Sequence, residues 1–247
     1  LNLNTATALA LADVDVGGDL HVTTQDAGVT QQTGTHVWVG GTSTFTADTG
    51  TNQDAALNST DNRWHGLLTL NEANSGSWRD VSLKTTAPLT LAPLQSAGSV
   101  SLSTQGAALT TSTISTSGSL SVDTRDSSGV GGAVSLGDAT ITGDMTMQTG
   151  GGSVAQTGQL VVTGNTSVMA GTGTITLLNA LNAFGGTLAL QGTATSVATT
   201  GNLQLASVNN TGPMTLRAPN GSIDLGTAFI TGGDLTLQSR DNMNLGG

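Results

Sequence analysis

Apolar and polar residues alternate along almost the whole chain. Leu20-His21-Val22, Leu68-Thr69-Leu70, Val81-Ser82-Leu83, Leu89-Thr90-Leu91 and Val100-Ser101-Leu102 each put two apolar side chains on one face of an extended segment. Leu120-Ser121-Val122, Met145-Thr146-Met147, Leu188-Ala189-Leu190, Leu203-Gln204-Leu205, Met214-Thr215-Leu216 and Leu235-Thr236-Leu237 continue the pattern. A period of two is the mark of a half-buried strand. The nearest approach to a helix is TITLLNALNAF, and its β-branched start and its asparagines weaken that reading.

Most of these strands follow a glycine turn, as at Gly18-Asp19, Gly98-Ser99, Gly118-Ser119, Gly143-Asp144, Gly186-Thr187 and Gly233-Asp234. Glycine supplies backbone angles that other residues resist. Neighbouring strand anchors recur about 20 to 25 residues apart, the length of one solenoid turn. A longer repeat lies on top. QTGTHVWVGGTSTFTADTG (32–50) matches QTGQLVVTGNTSVMAGTG (156–173), and LNSTDNRWHGLLTL (57–70) matches LNALNAFGGTLAL (178–190). PLTLAPLQSAGSVSL (88–102) matches NLQLASVNNTGPMTL (202–216), and the Arg-Asp pairs at 125–126 and 240–241 close equivalent turns. The chain therefore reads as a single β-helical segment, 1–247, of two modules, 12–136 and 137–247, each of roughly five turns.

A turn of this length cannot bury its own apolar face. Stacked turns bury it jointly, with their backbones paired in parallel. The expected fold is all-β: a right-handed parallel β-helix, the hand following from the crossover rule. At ~4.8 Å per turn, about eleven or twelve turns make a rod of roughly 55 Å.

Composition sharpens this picture. The 247 residues include 35 Gly, no Cys and no Tyr, with 2% aromatic and 9% charged residues and a net charge of −10. Thr, Ser, Asn and Gln carry the polarity. Six basic residues are too few for a nucleic-acid groove or a basic membrane helix. No apolar run is long enough to span a membrane as a helix. Without cysteine there is neither a disulfide nor a thiolate metal site. The chain starts and ends inside the pattern, as expected of an excerpt from a longer exported polypeptide.

GGDLTLQS, QTGTHVWVGGTSTFTA and the pattern LNxxxNxWxGxLxL at 57–70 resemble the repeat region of filamentous-haemagglutinin-like exoproteins. These are large adhesins of Gram-negative bacteria, exported by two-partner secretion. The resemblance covers Ala12 to Gly247 and rests on structural motifs. It implies a β-helical fibre at the cell surface or outside the cell, serving attachment, aggregation or biofilm formation. The family's secretion domain is not visible in these residues. APNGSI (218–223) is only a partial match to one of its motifs and reads as a repeat turn.

Candidate chemistry is sparse, and no cofactor is expected. His65 beside Trp64, with Asp61 nearby, is the most enzyme-like group. Trp64 aligns with Phe184 and His65 with Gly185, which makes the ring a packing residue. His21 and His36 align with Thr146 and Leu160, giving a histidine metal site little support. Calcium at Asp13, Asp15 and Asp19 or at Asp138 and Asp144 competes with the plainer reading of solvated turn carboxylates. An ice-binding Thr array is broken where Val168 and Met169 replace Thr44 and Phe45.

The candidate binding residues are Trp78, Arg79 and Trp38. Trp78 lies in NEANSGSWRD, an insert absent from the second module, and Trp38 aligns with Val162. An exposed indole stacks on sugars or anchors a partner. Arg79-Asp80, with the other Arg-Asp pairs, reads as a surface ligand or, more plainly, as local turn pairing. The leading functional expectation is a non-enzymatic adhesin stalk that binds surface polysaccharide or a cell-surface receptor through its loops. A polysaccharide-binding or polysaccharide-degrading β-helix is one alternative. A filament or surface-layer subunit, self-associating end to end, is another.

Overall fold

The structure is a computed structural model that describes residues 1–227 and 229–246, with the backbone alone for Phe229 and Ile230. Among the described residues every regular element is a strand. The chain winds into a β-solenoid of about eleven turns whose strands stack in parallel. Two long sheets run its length. The first extends from Asn2–Thr5 to Leu235–Ser239, and the second from Leu9–Leu11 to Met243–Asn244. Between them lies one continuous apolar core, including Leu20, Phe45, Leu68, Leu102, Ile141, Leu190 and Leu216. The inward positions are those of the period-two pattern: Leu120 and Val122 are buried while Ser121 between them is exposed.

Short side strands close the cross-section, and they change flank. Val14–Val16, Val37–Val39 and Arg63–Trp64 form a three-stranded side sheet where the chain passes from the second long sheet to the first. Leu94–Ser96, Thr113–Thr116, Asp138–Ile141, Leu160–Val162 and Ala183–Phe184 form a five-stranded one on the opposite passage, from the first long sheet to the second. Phe229–Thr231, paired to Val208–Asn210, lies again between the second and the first.

The change falls inside the first module, between Arg63–Trp64 and Leu94–Ser96, and it leaves the module with an odd half turn. Val14–Val16 and Asp138–Ile141 are equivalent side strands of successive modules. Between them the chain lays strands alternately in the two long sheets, first in the first sheet and last in the first sheet. The module therefore spans five and a half turns rather than five. The odd half turn rotates each copy by about half a revolution relative to the one before. Thus Leu20–Gln25 belongs to the first long sheet, and its equivalent Met145–Gln148 to the second.

Glycine is required where a side strand bends into a long one. In the five-turn column Gly98, Gly118, Gly143, Gly164 and Gly186, the Gly98 N–H donates to the Arg79 carbonyl at 2.9 Å and each later N–H to the glycine carbonyl below, at 2.8–3.1 Å. A methyl group on Gly164 or Gly186 would lie 2.6 Å from that carbonyl oxygen. The next residue extends the contact: Asp144 Oδ1 accepts the Asn165 N–H at 2.7 Å, and Asn165 Oδ1 accepts the Thr187 N–H at 3.0 Å. This explains the recurrent Gly followed by Asp, Ser, Asn or Thr.

Candidate functional site

Two surface regions gather the residues singled out by sequence. The first is the outer face of the three-stranded side sheet. Its register places Asp15 beside Trp38 and Trp38 beside Arg63. Trp38 is 38% exposed, and its indole N–H donates to the Asp61 carbonyl at 2.6 Å. The Arg63 guanidinium stands 4.9 Å from the ring centroid, and the His36 ring is centred 4.3 Å away. The neighbours of Trp38 thus already engage its π surface. His36 bridges two carboxylates, with Nδ1 3.0 Å from Asp13 and Nε2 3.2 Å from Asp15. The pairing across turns makes this face a charge-matched ladder. The sequence did not show that His36 joins Asp13 and Asp15, because that contact depends on the stacking register.

The same register corrects the module alignments over 36–45 and at Leu57 by one residue, so Thr44 matches Ser167 and the buried Phe45 matches the buried Val168. Val37 and Leu160 are the equivalent buried positions, since the N–H of each donates to a buried asparagine Oδ1, at 2.8 and 2.9 Å. Trp38 therefore matches Val161, and His36 matches Gln159. Leu57 matches Leu177 rather than Leu178, because the carbonyls of Leu57 and Leu177 each accept from the Nδ2 of that asparagine at 3.2 Å.

The second region surrounds the insert. Trp78 is not an exposed ligand: it is 0% exposed. Its indole N–H donates to the Asn71 carbonyl at 3.0 Å, and its backbone N–H to Glu72 Oε1 at 2.9 Å. The ring is the root of the insert, packed into the continuous core. Arg79 is exposed as expected, but its main partner is Asp54 on the turn below, through both Nε, at 2.9 Å, and Nη2. Asp80 stands 3.3 Å from Nε as a secondary partner. The hydrogen bonds that Arg79 donates to the Asp54 carboxylate hold its guanidinium more firmly protonated. Arg125 likewise pairs with Asp123, at 2.8 Å, rather than with Asp126. Local pairing accounts for both arginines, across or within a turn.

Above the insert lies a hollow of about 480 Å³, lined by Leu70, Asn71, Glu72, Pro93, Leu94, Gln95, Thr113 and Ser115. Sequence reasoning favoured this insert but chose its buried residue. Glu72, the chain's single glutamate, was the missed signal.

Elsewhere the expected cores hold. Trp64 is buried and His65 lies beside it at the surface, with Nδ1 3.3 Å from the Val39 carbonyl. Asp13 and Asp19 do more than meet solvent: each accepts a backbone N–H from the next turn, of His36 at 3.0 Å and of Thr42 at 2.7 Å. Among the described residues no three His, Cys, Asp or Glu side chains converge in a metal-binding group.

Two carboxylates respond to pH. The Thr42 N–H and hydroxyl hold the Asp19 carboxyl below its ordinary value, and the Arg125 guanidinium does the same for Asp123. A depressed folded pKa contributes stability above the unfolded value of 3.8, and the contribution is lost as pH falls through the folded value. Thermal unfolding followed between pH 6 and 2 should therefore show the midpoint falling below about pH 4. Asp123→Asn should make that fall shallower, and an unchanged slope would remove the Arg125 pair from the account.

Neither the curated proteins nor the solved structures contain a match to this chain. A family model described as repeats of unknown function (DUF5649) matches residues 1–71 and 126–191. The two matches begin equally far ahead of residues 12 and 137, where the modules start, and together cover more than half of the sequence, so the chain belongs to this family of repeats.

Proposed function

We propose that this chain is a rigid, non-enzymatic stalk segment of a fibrous bacterial adhesin, exported to the cell surface and carrying contacts on its flanks. One observation carries the reading: both long sheets run unbroken from the first turn to the last over a single core. Bending such a rod requires opening parallel ladders on two sides at once, so it holds whatever it carries at a fixed distance. The resemblance of its motifs to haemagglutinin-like exoproteins agrees with this use. The partner would be surface polysaccharide or a cell-surface receptor.

The test is binding of the labelled chain to Gram-negative cells with and without their surface polysaccharide. Saturable binding at micromolar concentration, competed by unlabelled chain, is expected. Absence of binding at about 100 μM, where even a weak contact of −5 to −6 kcal/mol would register, removes the adhesive part of the proposal. Release of new reducing ends from the polysaccharide would replace it with an enzymatic one.

A further inference from the structure

The hollow lies where the side strands change flank and the insert intervenes. In the second module the strand segment Leu190–Gly192 pairs directly with Val208–Asn210. Their first-module counterparts are Leu70–Glu72 and Leu94–Ser96, and these are not paired to each other. The insert follows Leu70–Glu72, which stays paired to Phe45–Ala47 on the turn below, and the indole N–H of Trp78 donates to the Asn71 carbonyl. What remains is a notch. Its floor is the outer face of the first two strands of the five-stranded side sheet, where Gln95 and Ser115 stand in register. Its wall is the overhang of Asn71 and Glu72. A second hollow of about 230 Å³ continues it past Ser77, Ala97 and Ser117, sharing Glu72, Gln95 and Ser115.

We infer that this notch is a binding site for a neutral oligosaccharide. Its volume falls in the range of ligand pockets, about 300–1,000 Å³. Its polar groups are amides, hydroxyls and one carboxylate: Asn71, Gln95, Thr113, Ser115, Ser117 and Glu72. These both donate to and accept from hydroxyl groups. Pro93, exposed on the side sheet, supplies an apolar surface for the C–H face of a ring. No Lys or Arg lines either hollow, so nothing offsets the Glu72 charge against a phosphate, sulfate or uronate. One Glu72 oxygen holds the Trp78 N–H; the other is left to accept from a sugar hydroxyl. Room for more than one ring along the two joined hollows favours an oligosaccharide over a monosaccharide. The inference stands apart from the adhesin proposal, since a rod that holds to no cell still contains the notch.

The test uses the intact chain and immobilised neutral trisaccharides of gluco, manno and galacto configuration, with the corresponding uronic-acid trisaccharides beside them. At least one neutral trisaccharide should bind with a Kd of about 1 mM or tighter. Gln95→Ala and Ser115→Ala should each weaken it about tenfold, the loss of a hydrogen bond in a partly enclosed site. Trp38→Ala, on the opposite flank, should leave it unchanged. Glu72→Gln keeps an acceptor for Trp78 and removes the charge, so it should admit the uronic-acid trisaccharides that the natural chain rejects. No neutral binding below 10 mM, binding indifferent to Gln95 and Ser115, or a preference of the natural chain for uronates would each overturn the inference.

Discussion

Asn182→Ala should lower stability by about 4–5 kcal/mol, dropping the midpoint of thermal unfolding by roughly 10–15 °C. Asn182 is 0% exposed, and five hydrogen bonds end on its amide. Its Oδ1 accepts from Gln156 Nε2 at 2.9 Å and from the Leu160 N–H at 2.9 Å. Its Nδ2 donates to Gln156 Oε1 at 2.8 Å and to the carbonyls of Leu177 and Ala198, at 3.2 and 3.1 Å. Truncation strands an N–H, two carbonyls and half of the Gln156 amide inside the rod, and each buried group without a partner costs about 1–3 kcal/mol. Asn62 repeats the arrangement with Gln31, Val37 and Leu57. Asn62→Ala should therefore cost nearly as much. Because each turn touches only its neighbours, amide hydrogen exchange should accelerate first in the adjacent turns. A loss below about 1 kcal/mol in either variant would mean that water or a rotated neighbour satisfies these groups.

Gly137→Ala should cost at least about 3 kcal/mol, above the ordinary range for an added methyl group. Gly137 turns the chain from Val134–Leu136 of the first long sheet into the side strand Asp138–Ile141. A Cβ there would overlap the Ser112 carbonyl oxygen and lie 2.5 Å from its carbon and 2.9 Å from the Thr111 oxygen. All these atoms are backbone, so relief requires separating two turns, including the Gly137 N–H bond to Thr111 at 3.0 Å. Gly201→Ala is the matching control, because its Cβ would meet nothing within 4 Å. It should be nearly neutral, and equal effects in chemical denaturation would show that propensity rather than stacking governs these glycines.

These two side chains show how much of the structure could be read beforehand. Alternation separates inside from outside, so the strands, the stacked parallel architecture and the burial of Trp64 follow directly from residues such as Leu120-Ser121-Val122. Alternation does not say which sheet a strand joins. Leu20–Gln25 and Met145–Gln148 look alike because they do the same work on opposite sides of the rod. The half turn that separates them emerges only when strands are counted around the axis. Trp78 was misplaced for a related reason. An indole on an insert has no module partner to reveal its direction, and here the insert is anchored by its own aromatic ring. The amide pairs were visible as repeated Gln and Asn. Their contact across 31 and 26 residues depends on a register that an alignment off by one conceals.

The central claim is the change of flank inside the first module, between Arg63–Trp64 and Leu94–Ser96, since it gives the module its odd half turn and places the notch. Cysteine pairing tests it most directly, in a chain that has no cysteine of its own. Ser82 and Ser101 are in register on adjacent strands of the second long sheet. Neighbouring strands stand about 4.8 Å apart, within disulfide reach. Ser82→Cys with Ser101→Cys should therefore oxidise to an intramolecular disulfide in the folded monomer, and Thr69→Cys with Ser101→Cys should not. If Leu94–Ser96 had kept the flank of Arg63–Trp64, Val100–Ser103 would stack on Leu67–Glu72 in the first long sheet. The second pair would then close and the first would stay reduced, which would contradict the account.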